Sequence, residues 1–141
     1  MEKGLLKLHY IIPANDLTCA GEASSNVKKK LIQLSIDPAL IKKTSISMYE
    51  AEINAVIHAN GGEANVEIDN EKIKIRISDH GPGIPDVELA MQEGYSTASD
   101  EVREMGFGAG MGLPNIKRYA DDLKIETEVG RGTALTITVY I

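Results

Sequence analysis

The 141-residue sequence has a single cysteine, few aromatic residues and fewer basic than acidic side chains. The lone Cys19 excludes an intramolecular disulfide, a cysteine-rich zinc site and the disulfide framework of a small secreted protein. The 15 Lys+Arg against 21 Asp+Glu give a formal net charge of -6, which argues against a general nucleic-acid binder. Because aromatic residues make up only 4%, a base-stacking surface is also unexpected.

The sequence also lacks a long hydrophobic run. The apolar stretch within residues 1–13 is interrupted by Lys7 and His9 and is too short for a membrane span or a signal-peptide core. We therefore expect a cytoplasmic protein. Hydrophobic residues make up 43% and charged residues 26%, as in globular proteins, and no repeat or linker divides the chain. We expect one domain over residues 1–141, large enough to bury a core without a disulfide or metal.

The hydropathy pattern predicts four helices and five strands. Strands are predicted at 5–12, 64–68, 72–78, 123–128 and 133–141, and helices from Asp16 or Thr18 to 34, at 38–60, at 86–93 and at 111–121. In the helix at 38–60, the predicted apolar stripe is Ile46, Tyr49, Ile53, Val56 and Ile57. This pattern predicts an α+β fold, a two-layer sandwich with about three helices on one face of a mixed, mostly antiparallel sheet.

Two polar residues of the second helix are the first candidates for chemistry. Glu50 and Asn54 are four residues apart, so they share one helix face at the edge of the apolar stripe. A carboxylate can act as a general base, and an amide oxygen suits Mg²⁺. Taken alone, an ordinary amphipathic helix with polar edges remains the favoured alternative. Glu52 faces elsewhere and is not chosen.

The stretch from Asp79 to Gly83 ends the third predicted strand. Asp79 continues the phase of three isoleucines at 73–77, so its carboxylate is predicted to point toward the apolar face. A carboxylate there needs a hydrogen-bond donor, which either a strand-ending turn or a ligand can supply. The exocyclic amino group of adenine would suit, with Gly81 and Gly83 allowing the backbone to approach a flat ring.

Glycines dominate the segment before the third main helix and the link between the last strands. In the first, the alternating glycines at 106–112 let N–H groups converge on an anion at a helix N-terminus, and a polyphosphate is the expected guest. The spacing matches neither a P-loop nor the dinucleotide fingerprint. In the second, Gly130-Arg131-Gly132-Thr133, a hairpin explains the glycines, and whether the Thr133 hydroxyl lies beside Asp79 stays open.

The four pieces, in this order along residues 45–135, resemble the ATPase fold shared by gyrase B, Hsp90, histidine kinases and MutL, called the GHKL or Bergerat fold. The chain is too short for the further domains of those proteins. It looks most like the anti-sigma-factor serine kinases and the related switch-protein kinases of bacterial stress signalling. The run 108–118, GAGMGLPNIKR, resembles the switch-kinase version, and 93–97 resembles the start of that family's ATP lid.

The resemblance implies a role for each candidate residue. Asn54 would coordinate Mg²⁺, and Glu50 would orient or deprotonate the attacking serine hydroxyl. Asp79 would accept a hydrogen bond from the adenine amino group, with Thr133 supporting through a water. The other residues implied in nucleotide binding are Gly81, Gly83, Ser96, Thr97, Gly106, Gly108, Gly110, Met111, Gly112 and Leu113.

The leading hypothesis is a serine/threonine protein kinase that uses ATP and Mg²⁺ and acts on an anti-anti-sigma type protein. The alternative is a nucleotide-gated binding module that sequesters a sigma factor or switches a phosphatase, with little or no phosphate transfer. A third hypothesis is an ATP-binding sensor without kinase activity. Neither nucleic acid nor a membrane is an expected partner, and the resemblance makes a homodimer plausible.

Overall fold

A computed structural model describes residues 6–13, 20–58, 61–84, 87–91 and 112–141 of the chain. The strands are β1 (Leu6–Ile12), β2 (Gly62–Ile68), β3 (Lys72–Asp79), β4 (Asp122–Glu128) and β5 (Gly132–Tyr140). The helices are α1 (Glu22–Gln33), α2 (Pro38–His58), α3 (Val87–Ala90) and α4 (Gly112–Tyr119). No helix in these ranges is long and apolar enough to cross a membrane.

The five strands form one sheet in the order β1-β2-β3-β5-β4, and every described pairing is antiparallel. The sheet is therefore antiparallel throughout the described strands, where the sequence predicted a mixed, mostly antiparallel one. Asp69 makes the predicted turn between β2 and β3. Its Oδ1 accepts hydrogen bonds from the N–H groups of Glu71 and Lys72 at 2.8 and 2.9 Å. These features confirm the predicted α+β sandwich.

One face of the sheet is buried and the other carries charge, as the period-two pattern of β3 predicts. Ile73, Ile75 and Ile77 are at most 2% exposed, whereas Lys74 and Arg76 on the opposite face are exposed. Helix α2 packs on β3 and β5, and α1 packs on α2. Each fully buried aliphatic side chain contributes about 1.5–3 kcal/mol to folding, so this layer contact is a main source of stability.

The predicted apolar stripe of α2 was partly wrong. Ile53 and Val56 are buried, but Tyr49 is 38% exposed. The hydroxyls of Thr44 and Ser47 donate to the carbonyl oxygens one turn earlier, at 2.8 and 2.7 Å, so these polar residues are buried without loss of hydrogen bonds. The buried face of α2 thus also includes residues outside the predicted stripe, both apolar and polar: Ile41, Thr44, Ser47, Met48, Ala51, Glu52 and Ala55.

Helix α1 begins at Glu22, later than the sequence predicted, and the caps proposed at Asp16 and Thr18 lie outside the described residues. The α1 N-terminus is capped from another helix. The carboxyl group of Glu52, which is 2% exposed, accepts backbone hydrogen bonds from Gly21, Ala23 and Ser24 at 3.1, 3.1 and 2.9 Å. Glu52 therefore satisfies N–H groups that a helix leaves unpaired, and it joins α1 to α2.

We expect Glu52→Gln to lower the free energy of unfolding by about 2–3 kcal/mol, because an amide NH₂ replaces one acceptor oxygen among buried N–H donors. Urea unfolding measures the change. Glu22→Gln, in the exposed first turn of α1, is the matched control and should stay within about 0.5 kcal/mol of the wild type. An unchanged unfolding midpoint for Glu52→Gln would contradict this account of the α1 cap.

Candidate functional site

The chain topology brings the C-terminal half of α2 to the end of β3. The N–H of Gly61 donates back to the last turns of α2 at 3.1 Å, and Gly62 then opens β2 directly opposite Asp79. The half of α2 that carries Glu50 and Asn54 therefore ends beside Asp79. Two of the four sequence motifs lie at the same edge of the sheet.

The carboxylate of Asp79 joins three segments of the chain. Its Oδ1 accepts hydrogen bonds from the backbone N–H of Gly81 at 2.9 Å and of Thr133 at 3.1 Å. Within the described residues, both of these bonds go to Oδ1, so Oδ2 remains an available acceptor. The two alternatives left open by the sequence are therefore compatible, because a turn satisfies one oxygen and the other can still accept from a ligand.

The loop after Asp79 packs tightly on the hairpin between β4 and β5. Gly83 has a φ of +79°, and a Cβ there would lie 2.5 Å from the carbonyl oxygen of Glu128. The N–H of Gly130 donates to the Pro82 carbonyl oxygen at 2.9 Å. Glycine at position 83 is therefore required by this close backbone contact as well as by its conformation. Gly81 in the same loop is buried.

Two threonines complete this side of the site. Thr127 of β4 and Thr133 of β5 are directly opposite in the strand register, and their Oγ1 atoms are 2.9 Å apart. The Thr127 Oγ1 also accepts a hydrogen bond from the N–H of Ile84 at 2.8 Å. Sequence reasoning missed Thr127. The strand periodicity that identified Asp79 also marks Thr127, because Thr127 follows Leu123 and Ile125 in the inward phase of β4.

Glu50, on α2, is half-buried and its side chain lies next to α4. Burial raises the pKa of its carboxyl group, and a hydrogen bond from the side chain of Asn115 offsets part of that rise. Asn54 lies one turn further along α2 and is partly exposed. Sequence reasoning also missed Asn115, although it lies within the first turns of the helix that follows the glycine-rich segment. The arrangement provides a carboxyl group with a raised pKa and a nearby amide oxygen.

The structure accounts for only part of the predicted phosphate loop. Gly112 begins α4, and Leu113 is 7% exposed and belongs to the hydrophobic core, so its side chain is not available to a ligand. The other predicted nucleotide contacts lie outside the described residues: Ser96, Thr97, Gly106, Gly108, Gly110 and Met111. In the described part of the chain, no three His, Cys, Asp or Glu side chains converge to hold a metal ion.

A family model described as histidine kinase-, DNA gyrase B-, and HSP90-like ATPase matches residues 47–141. The chain belongs to this ATPase family. The matched range includes Glu50, Asn54, Asp79 and Thr133, and membership implies the use of ATP. The resemblance inferred from the sequence motifs is thereby confirmed.

Two relatives show which kinds of protein in this family the chain is similar to. The serine/threonine-protein kinase RsbT of Bacillus subtilis is 35% identical over 124 residues, which cover 85% of each chain. An anti-sigma F factor of Caldanaerobacter subterraneus is 38% identical over 105 residues, which cover 70% of this chain and 68% of the relative. The family members similar to this chain therefore include a protein kinase and anti-sigma factors.

A solved structure shows the same fold. The structure of the RsbU and RsbW domains of a Mycobacterium tuberculosis protein superposes with a TM-score of 0.63 at 15% identity. The superposition covers 95% of this chain and 32% of that one. At this identity the likeness concerns the fold alone, an α+β arrangement with helices on an antiparallel sheet.

In the wild type, the hydrogen bond from the Asn115 side chain stabilises the ionised carboxylate of Glu50 and lowers its pKa. We therefore expect Asn115→Ala, which removes this donor, to raise the pKa of Glu50 further. A ¹³C NMR titration of glutamate side-chain carboxyl groups measures the change, with the Glu50 signal assigned from Glu50→Gln. Asn65→Ala, on the exposed face of β2, is the control and should leave that pKa unchanged. A Glu50 pKa that is the same in Asn115→Ala and wild type would contradict the hydrogen bond.

Proposed function

We propose that this protein is a serine/threonine protein kinase that uses ATP and Mg²⁺. The observation that carries the proposal is that the half-buried carboxyl group of Glu50 lies on the half of α2 that ends beside Asp79. One group suits proton transfer and the other suits recognition of a purine amino group. Family membership supports ATP as the nucleotide.

In the proposed complex, the adenine base lies against Asp79. Its exocyclic amino group donates to Oδ2, while Oδ1 stays fixed by the N–H groups of Gly81 and Thr133. Because Oδ1 is held in place, Oδ2 has a fixed position and accepts a hydrogen bond from one direction. This selects adenine, which has an amino donor there, over a base with a carbonyl oxygen at that position. The phosphates then extend toward the N-terminus of α4, where unpaired backbone N–H groups favour an anion.

Asn54 is the residue proposed to hold Mg²⁺. Its side-chain oxygen is a hard ligand, and Mg²⁺ commonly takes one or two protein ligands together with phosphate oxygens and water. When bound, Mg²⁺ neutralises phosphate charge during transfer.

Glu50 acts on the protein substrate. Its carboxylate accepts the proton of the serine or threonine hydroxyl as that oxygen bonds to the γ-phosphorus and ADP departs with the electrons of the broken bond. Burial raises the pKa of Glu50, which makes the carboxylate a better proton acceptor, and the hydrogen bond from Asn115 orients it. Both effects serve a general base that operates near neutral pH.

The proposed substrate is a protein of the anti-anti-sigma type, phosphorylated in the cytoplasm. Support comes from the relatives, one named a serine/threonine-protein kinase and others named anti-sigma F factors. The second group makes a sigma factor a further candidate partner. Phosphate transfer and partner binding are compatible on one small domain, because the nucleotide contacts proposed here use only one edge of the sheet.

We expect Glu50→Gln to abolish phosphate transfer while leaving ATP binding close to wild type, since the carboxylate acts on the hydroxyl rather than on the nucleotide. Asn54→Ala should weaken both Mg²⁺-dependent ATP binding and transfer. The assay uses γ-labelled ATP, Mg²⁺ and an extract of the source cell, and follows labelled protein. Isothermal titration with ATP and Mg²⁺ measures binding separately.

Lys124→Ala, on the exposed face of β4, is the control and should transfer at the wild-type rate. A wild-type-specific label on serine or threonine identifies the substrate in the same experiment. Transfer by Glu50→Gln at the wild-type rate would remove Glu50 from the proposed role. ATP binding without any transfer by the wild type would contradict the kinase proposal.

A further inference from the structure

We infer that Thr127 is a positioning residue of the nucleotide-binding site: its hydroxyl fixes the Thr133 hydroxyl and the loop 82–84 relative to Asp79. This inference rests on the proposed function, because it takes the purine base to lie against Asp79. No hydrogen bond joins Thr127 to Asp79 among the described residues. It acts through the groups that do.

The first contact of Thr127 holds the loop after β3. Its Oγ1 accepts a hydrogen bond from the N–H of Ile84 at 2.8 Å. The same loop is held a second time by the bond from Gly130 N–H to the Pro82 carbonyl oxygen. Because Gly83 between these bonds contacts the backbone of Glu128, the loop has little room to shift while both remain. Loss of the Thr127 hydroxyl leaves the Ile84 N–H without its acceptor.

The second contact of Thr127 sets the direction of a hydrogen bond. The Thr127 Oγ1 accepts from the N–H of Ile84, and its hydroxyl donates to the carbonyl oxygen of Gly132 at 3.3 Å. The Thr127 Oγ1 also lies 2.9 Å from the Oγ1 of Thr133. Because the single Thr127 hydrogen goes to Gly132, the Thr133 hydroxyl is the donor between the two threonines, and its lone pairs are left to accept from a base or a bridging water.

Together these groups present two acceptors on neighbouring strands, Asp79 Oδ2 and Thr133 Oγ1. The bond from Thr133 N–H to Asp79 Oδ1 at 3.1 Å keeps the two residues in register. Adenine offers the complementary group, an exocyclic amino group with two hydrogens, which can reach these acceptors directly or through a water. Hypoxanthine carries a carbonyl oxygen at that position, which neither acceptor can bind. Thr127 therefore contributes to selection between the two bases.

The test compares ATP and ITP, which carry the adenine and hypoxanthine bases. We expect Thr127→Val, which keeps the side-chain shape and removes the hydroxyl, to weaken ATP binding by roughly tenfold and ITP binding by much less. The ATP/ITP affinity ratio thus falls. Thr127→Ser restores the hydroxyl and should return the ratio to near the wild-type value. Isothermal titration in the presence of Mg²⁺ measures the affinity of the wild type and of both variants for ATP and ITP without requiring kinase activity.

Thr136→Val is the matched control, because Thr136 lies on β5 with its side chain on the opposite face of the sheet. It should bind both nucleotides as the wild type does. Thr127→Ala is the second hydroxyl-free variant, used if the valine variant does not fold in a urea unfolding experiment. A wild-type ATP/ITP ratio in a folded hydroxyl-free variant would overturn the inference, as would a serine variant that binds as poorly as the valine variant.

If the proposed nucleotide site itself is wrong, the binding experiments give a different result. A wild-type protein that binds no ATP, or an Asp79→Asn variant that retains the wild-type ATP/ITP ratio, would show that the base does not lie against Asp79. Selective ATP binding by the wild type, lost in Asp79→Asn and reduced in Thr127→Val, supports both the nucleotide site and the positioning role of Thr127.

Discussion

The organisation of the site depends on one hydrogen-bonded carboxylate. Asp79 ends the central strand β3, and its Oδ1 accepts from Gly81 in the next loop and from Thr133 in β5. These two bonds fix the loop and the last hairpin to the strand that anchors the core. A half-buried carboxylate is unfavourable without hydrogen-bond donors, and the N–H groups of Gly81 and Thr133 supply them to Asp79. The remaining oxygen, Oδ2, is then held in a defined place, where we propose that it meets the base.

Two nearby carboxyl groups of helix α2 have different roles, one in folding and one in the candidate site. Glu52 points to α1 and satisfies the N–H groups at its start, whereas Glu50 lies toward α4 and is held by Asn115. Fixing α2 against both helices limits the movement of Glu50 and Asn54. A general base needs a defined orientation as well as a suitable pKa, so the buried carboxylate of Glu52 supports the role that we propose for Glu50.

The local periodicity of the chain was enough to predict the strands and the inward position of Asp79, because three isoleucines of β3 set the phase. The cap of α1 was not predictable. Its acceptor, Glu52, is about 30 residues away along the chain, and only the packing of two helices brings them together. The buried face of α2 was mispredicted for a related reason, since Thr44 and Ser47 satisfy their own hydroxyls within the helix. Thr127 and Asn115 were missed because their partners lie on other elements.

The central claim is that the adenine base of ATP lies against Asp79. A crystal structure with Mg²⁺ and a non-hydrolysable ATP analogue tests it most directly. The account predicts that the exocyclic amino group lies within hydrogen-bond distance of Asp79 Oδ2, with the phosphates at the N-terminus of α4 and Asn54 on the metal. A base bound elsewhere, with Oδ2 of Asp79 facing only solvent, would contradict it.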